Sequence, residues 1–423
     1  MEKKKMSLAS KILIALVIGL VTGIIVYYVP EGTFRDAVLI DGIFHFIGQV
    51  FLRSIMMLVV PLVFVSLVNG AASIGDIKKL GRIGVKTIAF YLATTAMAIV
   101  IALILGSVIK PGIGLDMGAI EAVETTIKEK TPLAQILYEM VPRNPIQAMA
   151  EGNMLQIIVF AILTGIGLSI LGEKGKALLS LFNDLNELIM KLVEIVMLFA
   201  PIGVFGLIAR TFATTGLAAL IPLAKYVIGV YIGLAIHATL VYGGLFKTMT
   251  GLSIGTFYKK FLPAMSVAFS TASSGATLPV SIDICENDLG ISKEIASFTI
   301  PLGSTINMDG TAIMQGIATF FVAQVYNIPV TMGMMLTVVL TATLASIGTA
   351  GVPGAGAIML SMVLESVGLP LEGMALIMGI DRLVDMGRTA INVTGDAVCT
   401  TIIAKQEDGL DTDIFNDRSK IKA

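Results

Sequence analysis

Apolar runs about as long as the 20 residues a helix needs to cross a bilayer follow one another along the first 250 positions. They cover 12–29, 43–71, 85–109, 154–171, 188–209 and 219–246, and short polar stretches separate them. The longest polar stretch, 121–153, carries Lys128, Glu129, Lys130 and Arg143 and reads as an extramembrane excursion or a broken helix. No period-two alternation marks barrel strands, so helices are the spans that satisfy their own backbone in lipid. Beyond Gly251 the pattern changes, and Gly, Ser, Thr, Pro and Asn interrupt the apolar runs where mid-membrane positions are expected.

Two interruptions resemble each other: 270–279 (STASSGATLP) and 346–356 (SIGTAGVPGAG). Each lies between short helical runs, which predicts a re-entrant helix, tip and helix. Glycine permits unusual backbone angles, proline removes a donor, and hydroxyls can satisfy freed backbone groups. The alternative is a pair of kinked spans packed through small residues. A long helix follows each tip: 293–326, broken by NMDGT at 307–311, and about 371–404. Hairpin then helix, twice, makes an internal repeat, and paired discontinuous segments point to a transporter binding site, although they could also line a channel. Asp309 beside Gly310 predicts an unwound turn with free carbonyls, and carbonyl, carboxylate, hydroxyl and amide oxygens suit a hard cation.

The last long helix carries Asp381, Asp385, Arg388, Asn392 and Asp396 at steps of four, three, four and four, a single face at helical pitch. Ionisable groups inside membrane segments are rare and line bundle interiors, cavities or solute paths.

Composition supports the membrane setting: 56% of residues are hydrophobic and 14% charged, against about 25% charged in ordinary soluble domains. A net charge of −1 and the absence of any basic, aromatic-interleaved cluster exclude a nucleic-acid partner. Cys285 and Cys399 lie in apolar stretches and read as buried free thiols. Lys3, Lys4 and Lys5 precede the first run, and Lys78, Lys79, Arg82 and Lys86 follow the second. Glu31, Asp36 and Asp41 lie between the two runs. The positive-inside rule then places a retained first span with its N-terminus in the cytoplasm.

The motifs NMDGT at 307–311, the serine-containing tip ending TLP at 277–279, GVPGAG at 351–356, and DMGR at 385–388 running into NVTGD at 392–396 resemble the dicarboxylate/amino acid:cation symporters, the glutamate transporter family. The resemblance runs over essentially the whole chain and is strongest to prokaryotic sodium-coupled aspartate/glutamate transporters. The inverted repeat is described for an archaeal member of this family, so repeat and resemblance are one line of support rather than two.

The resemblance implies an all-α polytopic membrane protein with eight transmembrane helices, two re-entrant hairpins and an elevator mechanism. Residues 1–75 and 110–214 would form a trimerisation scaffold, and 76–109 and 215–423 a mobile transport domain. The second hairpin would be the gate of a homotrimer in the cell membrane. It further implies that Arg388 reads the side-chain carboxylate of an acidic amino acid, Asp385 takes its ammonium, and Thr311, Thr389 and Asn392 add hydrogen bonds. Ser274 and the stretch from Val352 to Gly356 would hold its main-chain carboxylate. Three sodium sites would follow. One uses Gly303, Asn307, Asn392 and Asp396, and a second uses Thr305, Met308, Ser346, Ile347 and Thr349. The third uses Tyr91, Thr94, Thr95, Asn307 and Asp309.

One departure bears on Asp385. Some members carry a further arginine where this chain has Ala272, others where it has Met386, which leaves open how Asp385 is partnered in an empty site. An intramembrane enzyme is disfavoured because no histidine is expected to join Asp309, Asp385 and Asp396; His45 and His237 lie in other spans and read as structural. A channel would conduct without saturable accumulation. Proton-coupled uptake of glutamate or a C4-dicarboxylate is the runner-up among transporters.

Overall fold

The structure is a computed structural model that describes Met6 and residues 8–76, 82–115, 138–347 and 355–417. Among them every regular element is helical, and the only β pairing is one isolated antiparallel bridge between Ile291 and Leu410. Five helical stretches are long and apolar enough to cross a membrane: Ser10–Tyr27, Phe34–Ala72, Arg82–Ile109, Met154–Leu198 and Ala200–Thr250. Their outward faces are apolar, with Ile18, Val21 and Ile25 exposed near the N-terminus and Leu188, Leu192 and Ile195 further along. That is how a helix facing lipid differs from one facing water.

The first half packs around one long helix. Helix α1 (Leu8–Tyr27) lies along α7 (Ala200–Thr215). Helix α2 (His45–Asp76) contacts α5 (Met154–Leu171), α6 (Lys176–Leu198) and α7. Residues Phe34–Phe44, read as part of a polar connection, are instead a π-wound run that leads straight into α2. Asp36 supports its start by accepting from the Gly32 amide at 2.9 Å. The run expected at 188–209 divides at Phe199 between α6 and α7, where Pro201 in the first turn of α7 has no amide to continue the ladder. Asn144 caps the short α4 (Pro145–Glu151) through its side-chain oxygen.

The second half is built around α16 (Met374–Gln406). Around it pack α8 (Leu220–Ile236), α9 (Gly243–Thr250), α10 (Ile254–Thr271), α11 (Ser274–Asp283), α12 (Lys293–Ile306) and α13 (Asp309–Val325). Helix α3 (Arg82–Ile109) lies against α13 and α14 (Met332–Ala345), and α15 (Ala355–Ser366) packs on α14. The polar stripe of α16 is therefore one side of a helix buried nearly all round, from Met374 to Ala404. At the far end of that helix Glu407 accepts from Arg82 at 2.5 Å and Lys86 at 2.7 Å, which ties α3 to α16. The hydrogen bonds from Arg82 and then Lys86 hold the Glu407 carboxyl below its ordinary range. The tie is thus complete above that range and lost as pH falls through the lowered value.

Both tips were expected to be longer irregular segments. Only Ala272 and Ser273 separate α10 from α11, and Pro279 sits inside α11. Ala272 adopts the left-handed conformation at φ 50°, and Ser273 caps α11 by accepting from the Ala276 amide at 3.2 Å. Most of the second tip, including Gly351, lies outside the described residues. The break in the other long helix is also shorter than expected. Asn307 and Met308 alone leave helical geometry, and Asp309 and Gly310 form the first turn of α13. Cys285 and Cys399 are buried free thiols.

Candidate functional site

Four charged side chains of α16 form a balanced cluster. Arg388, 2% exposed, donates through Nε to Asp385 Oδ1 at 2.9 Å and through one terminal nitrogen to Asp381 Oδ1 at 3.2 Å. Thr389 adds its hydroxyl to Asp385 Oδ1 at 3.2 Å. Arg382 comes within 3.6 Å of Asp385 Oδ2 and donates at 3.2 Å to the carbonyl of Thr271, the last residue of α10. Two carboxylates thus face two guanidinium groups in a setting where an unpaired charge would cost several kcal/mol, on the order of the effective burial penalty per ion. Gly356 of α15 lies against the Arg388 guanidinium, and a Cβ there would fall on it.

The break between α12 and α13 carries the second group. Asn392 accepts from the Gly310 amide at 2.7 Å and turns its own amide nitrogen toward Thr311 Oγ1 at 3.4 Å and Met308 Sδ at 3.5 Å. Asn307 donates to the Asn392 carbonyl at 2.9 Å and to Asp396 Oδ1 at 3.0 Å, while its own buried Oδ1 has no partner among the described residues. Gly303 fits directly beside Asp396 and the Tyr91 hydroxyl. Asp309 is fully buried and receives Thr95 at 2.5 Å on one oxygen, with Tyr242 at 2.8 Å and His237 Nε2 at 2.9 Å on the other.

No lysine or arginine pairs with Asp309 or Asp396 among the described residues. Asp396 and the open Oδ1 of Asn307 are oxygen donors of the kind a hard cation takes, whereas both oxygens of Asp309 already accept from Thr95, Tyr242 and His237.

His237 corrects the expectation that no histidine joins the carboxylates. It lies in another helical stretch, but the fold brings it onto Asp309, and residue spacing along the chain cannot show a contact 72 positions apart. Thr94 back-bonds to the Tyr91 carbonyl at 3.2 Å, so of the hydroxyl pair only Thr95 reaches a carboxylate. Tyr91 itself donates to the Thr299 carbonyl at 3.2 Å.

The residues expected to form the second cation site are less gathered. Thr305 is exposed and bonds the Leu302 carbonyl, and Ser346 bonds the Thr343 carbonyl. Ile347 is buried beside Ser346, whereas Thr349 and Val352 lie outside the described residues. Ser274 is buried in the first turn of α11, which packs on α16. Sequence reasoning placed Asp381 on the polar stripe without giving it a role and did not single out Arg382, although both stand one helical turn from Asp385.

Residues 8–406 match the model of the sodium:dicarboxylate symporter family. The chain belongs to that family. A proton/sodium-glutamate symport protein of Geobacillus stearothermophilus is 38% identical over 412 residues, covering 96% of this chain and 95% of the relative. A proton/glutamate-aspartate symporter of Escherichia coli is 38% identical over 421 residues, 97% and 95% of the two chains. A C4-dicarboxylate transport protein of Bacillus subtilis is 34% identical over 371 residues, 86% and 88%. These are transport proteins, not enzymes, and this member is a helical membrane protein of the secondary transporter class.

Proposed function

We propose that this symporter couples inward sodium movement to uptake of an acidic amino acid, L-aspartate or L-glutamate, across the cell membrane. The observation that carries the reading is that the two groups are neighbours on one helix. Arg388 stands one turn before Asn392 on α16, Gly310 packs on the Arg388 backbone and donates to Asn392, and Asn307 links Asn392 to Asp396. Arg388 meets the side-chain carboxylate of the substrate with a planar fork, and Asp385 takes its ammonium. Thr311, Thr389 and Asn392 supply further hydrogen bonds, and Ser274 with the 352–356 stretch holds the main-chain carboxylate.

Sodium is a co-transported substrate here, held at one position by Gly303, Asn307, Asn392 and Asp396 and at another by Tyr91, Thr94, Thr95, Asn307 and Asp309. A third position uses Thr305, Met308, Ser346, Ile347 and Thr349. Because Asn392 serves both ligands and Asn307 bonds its carbonyl, filling one position orders the other, and the coupling is reciprocal. The second hairpin closes over both ligands.

Residues 76–109 and 215–423 then move as one body against a trimeric scaffold of 1–75 and 110–214. The packing of α3 with α13, α14 and α16, and of α1 and α2 with α5 to α7, supports that division. The N-terminus lies on the cytoplasmic side.

A second reading, proton-coupled uptake, is favoured by the relatives named for proton symport. Asp396→Asn tests the sodium reading at one ligand. It removes one cation ligand while keeping the shape, so sodium should stimulate aspartate binding at least tenfold less in the variant than in the natural chain. An unaltered sodium response would remove Asp396 from the cation site.

A further inference from the structure

Asp385 has two oxygens and two different cationic neighbours. Oδ1 belongs to Arg388 and Thr389, and Oδ2 faces Arg382 at 3.6 Å. Arg382 is fixed from the other side by the Thr271 carbonyl, at the end of α10 and directly before the left-handed Ala272. Its side chain is only 10% exposed, and its buried Nε has no partner among the described residues. A guanidinium with one firm bond, one loose contact and one idle donor is held in place without being saturated. A substrate ammonium needs the same Asp385 oxygen that Arg382 faces. An acidic amino acid therefore competes with Arg382 for Oδ2, whereas a four-carbon dicarboxylate brings no cation and leaves that oxygen to Arg382.

We infer that Arg382 is a specificity-determining positioning residue, the resident counter-cation of Asp385, which lets the pocket accept a C4-dicarboxylate without an ammonium while it anchors the tip between α10 and α11. The inference rests on the reading of Arg388 and Asp385 as substrate contacts. Without Arg382, the charge of Asp385 falls on Arg388, the group the substrate carboxylate requires. An amino acid supplies its own replacement charge, and a dicarboxylate does not.

The test uses the purified full-length chain with labelled L-aspartate displaced by unlabelled L-aspartate, succinate or L-malate, in Arg382→Gln and Arg382→Lys beside the natural chain. Arg382→Gln is expected to raise the ratio of dicarboxylate to aspartate dissociation constants at least tenfold, and Arg382→Lys to return most of it. An unchanged or lowered ratio overturns the inference, as does a natural chain that no dicarboxylate displaces. Hydrogen exchange without substrate forms a second arm. Amides at 271–274 should exchange severalfold faster in Arg382→Gln, and unchanged exchange overturns the anchoring role. A natural chain that binds neither class would overturn the transport reading instead, while the exchange arm still decides the tie to Thr271.

Discussion

Arg388 holds Asp381 and Asp385 together in the absence of any substrate. Truncating it would strand the buried Asp381 and leave Asp385 only the looser Arg382, and breaking a buried pair costs about 3–5 kcal/mol, so an alanine variant mixes lost folding with lost recognition. Arg388→Lys keeps the charge and loses the fork. Aspartate affinity in that variant should fall about a hundredfold, ~2.7 kcal/mol, with the protein still monodisperse. Affinity within a factor of two of the natural chain would show that Arg388 only balances its neighbours.

The α16 stripe was legible in the sequence because its spacing needs only helical pitch, and so were the family motifs. The partners of Asp309 were not. His237, Tyr242 and Thr95 come from helices far away in the chain, and an apolar helix gives no local sign of which neighbour its one polar side chain will meet. Arg382 was overlooked for a different reason: it stands one residue after Asp381, and its hydrogen-bond acceptor, the Thr271 carbonyl, comes from the end of α10 more than a hundred positions away.

Secondary-structure breaks are smaller in the molecule than the sequence suggests. Glycine, serine and proline mark where helices can part, but a cap and one left-handed residue suffice to turn the chain. Both 270–279 and 307–311 therefore narrow to two non-helical residues each, Ala272 with Ser273 and Asn307 with Met308. Ala272 at φ 50° carries a Cβ where glycine is preferred, a conformation that costs about 1–2 kcal/mol. Ala272→Gly should therefore raise the apparent melting temperature in detergent by a few degrees, the gain reduced by the greater freedom of glycine in the unfolded chain. A lowered melting temperature would mean that the buried methyl packs more than it strains.

In the whole molecule, α16 carries the Asp/Arg cluster and Asp396, the helix that carries Asp309 packs on it, and the helices of the first half pack around α2. A body that carries both ligand groups and moves as a unit would transport them together, which is the physical content of symport. Composition and apolar run lengths were enough to place the chain in a membrane. The grouping of helices was not readable from them, because lipid-facing and protein-facing helices are equally apolar. Uptake of labelled L-aspartate into proteoliposomes, with the membrane potential clamped, compares inward sodium, potassium and proton gradients. Accumulation that requires the sodium gradient is the predicted result. Accumulation driven by a proton gradient without sodium would contradict sodium coupling and assign the buried carboxylates to another ion.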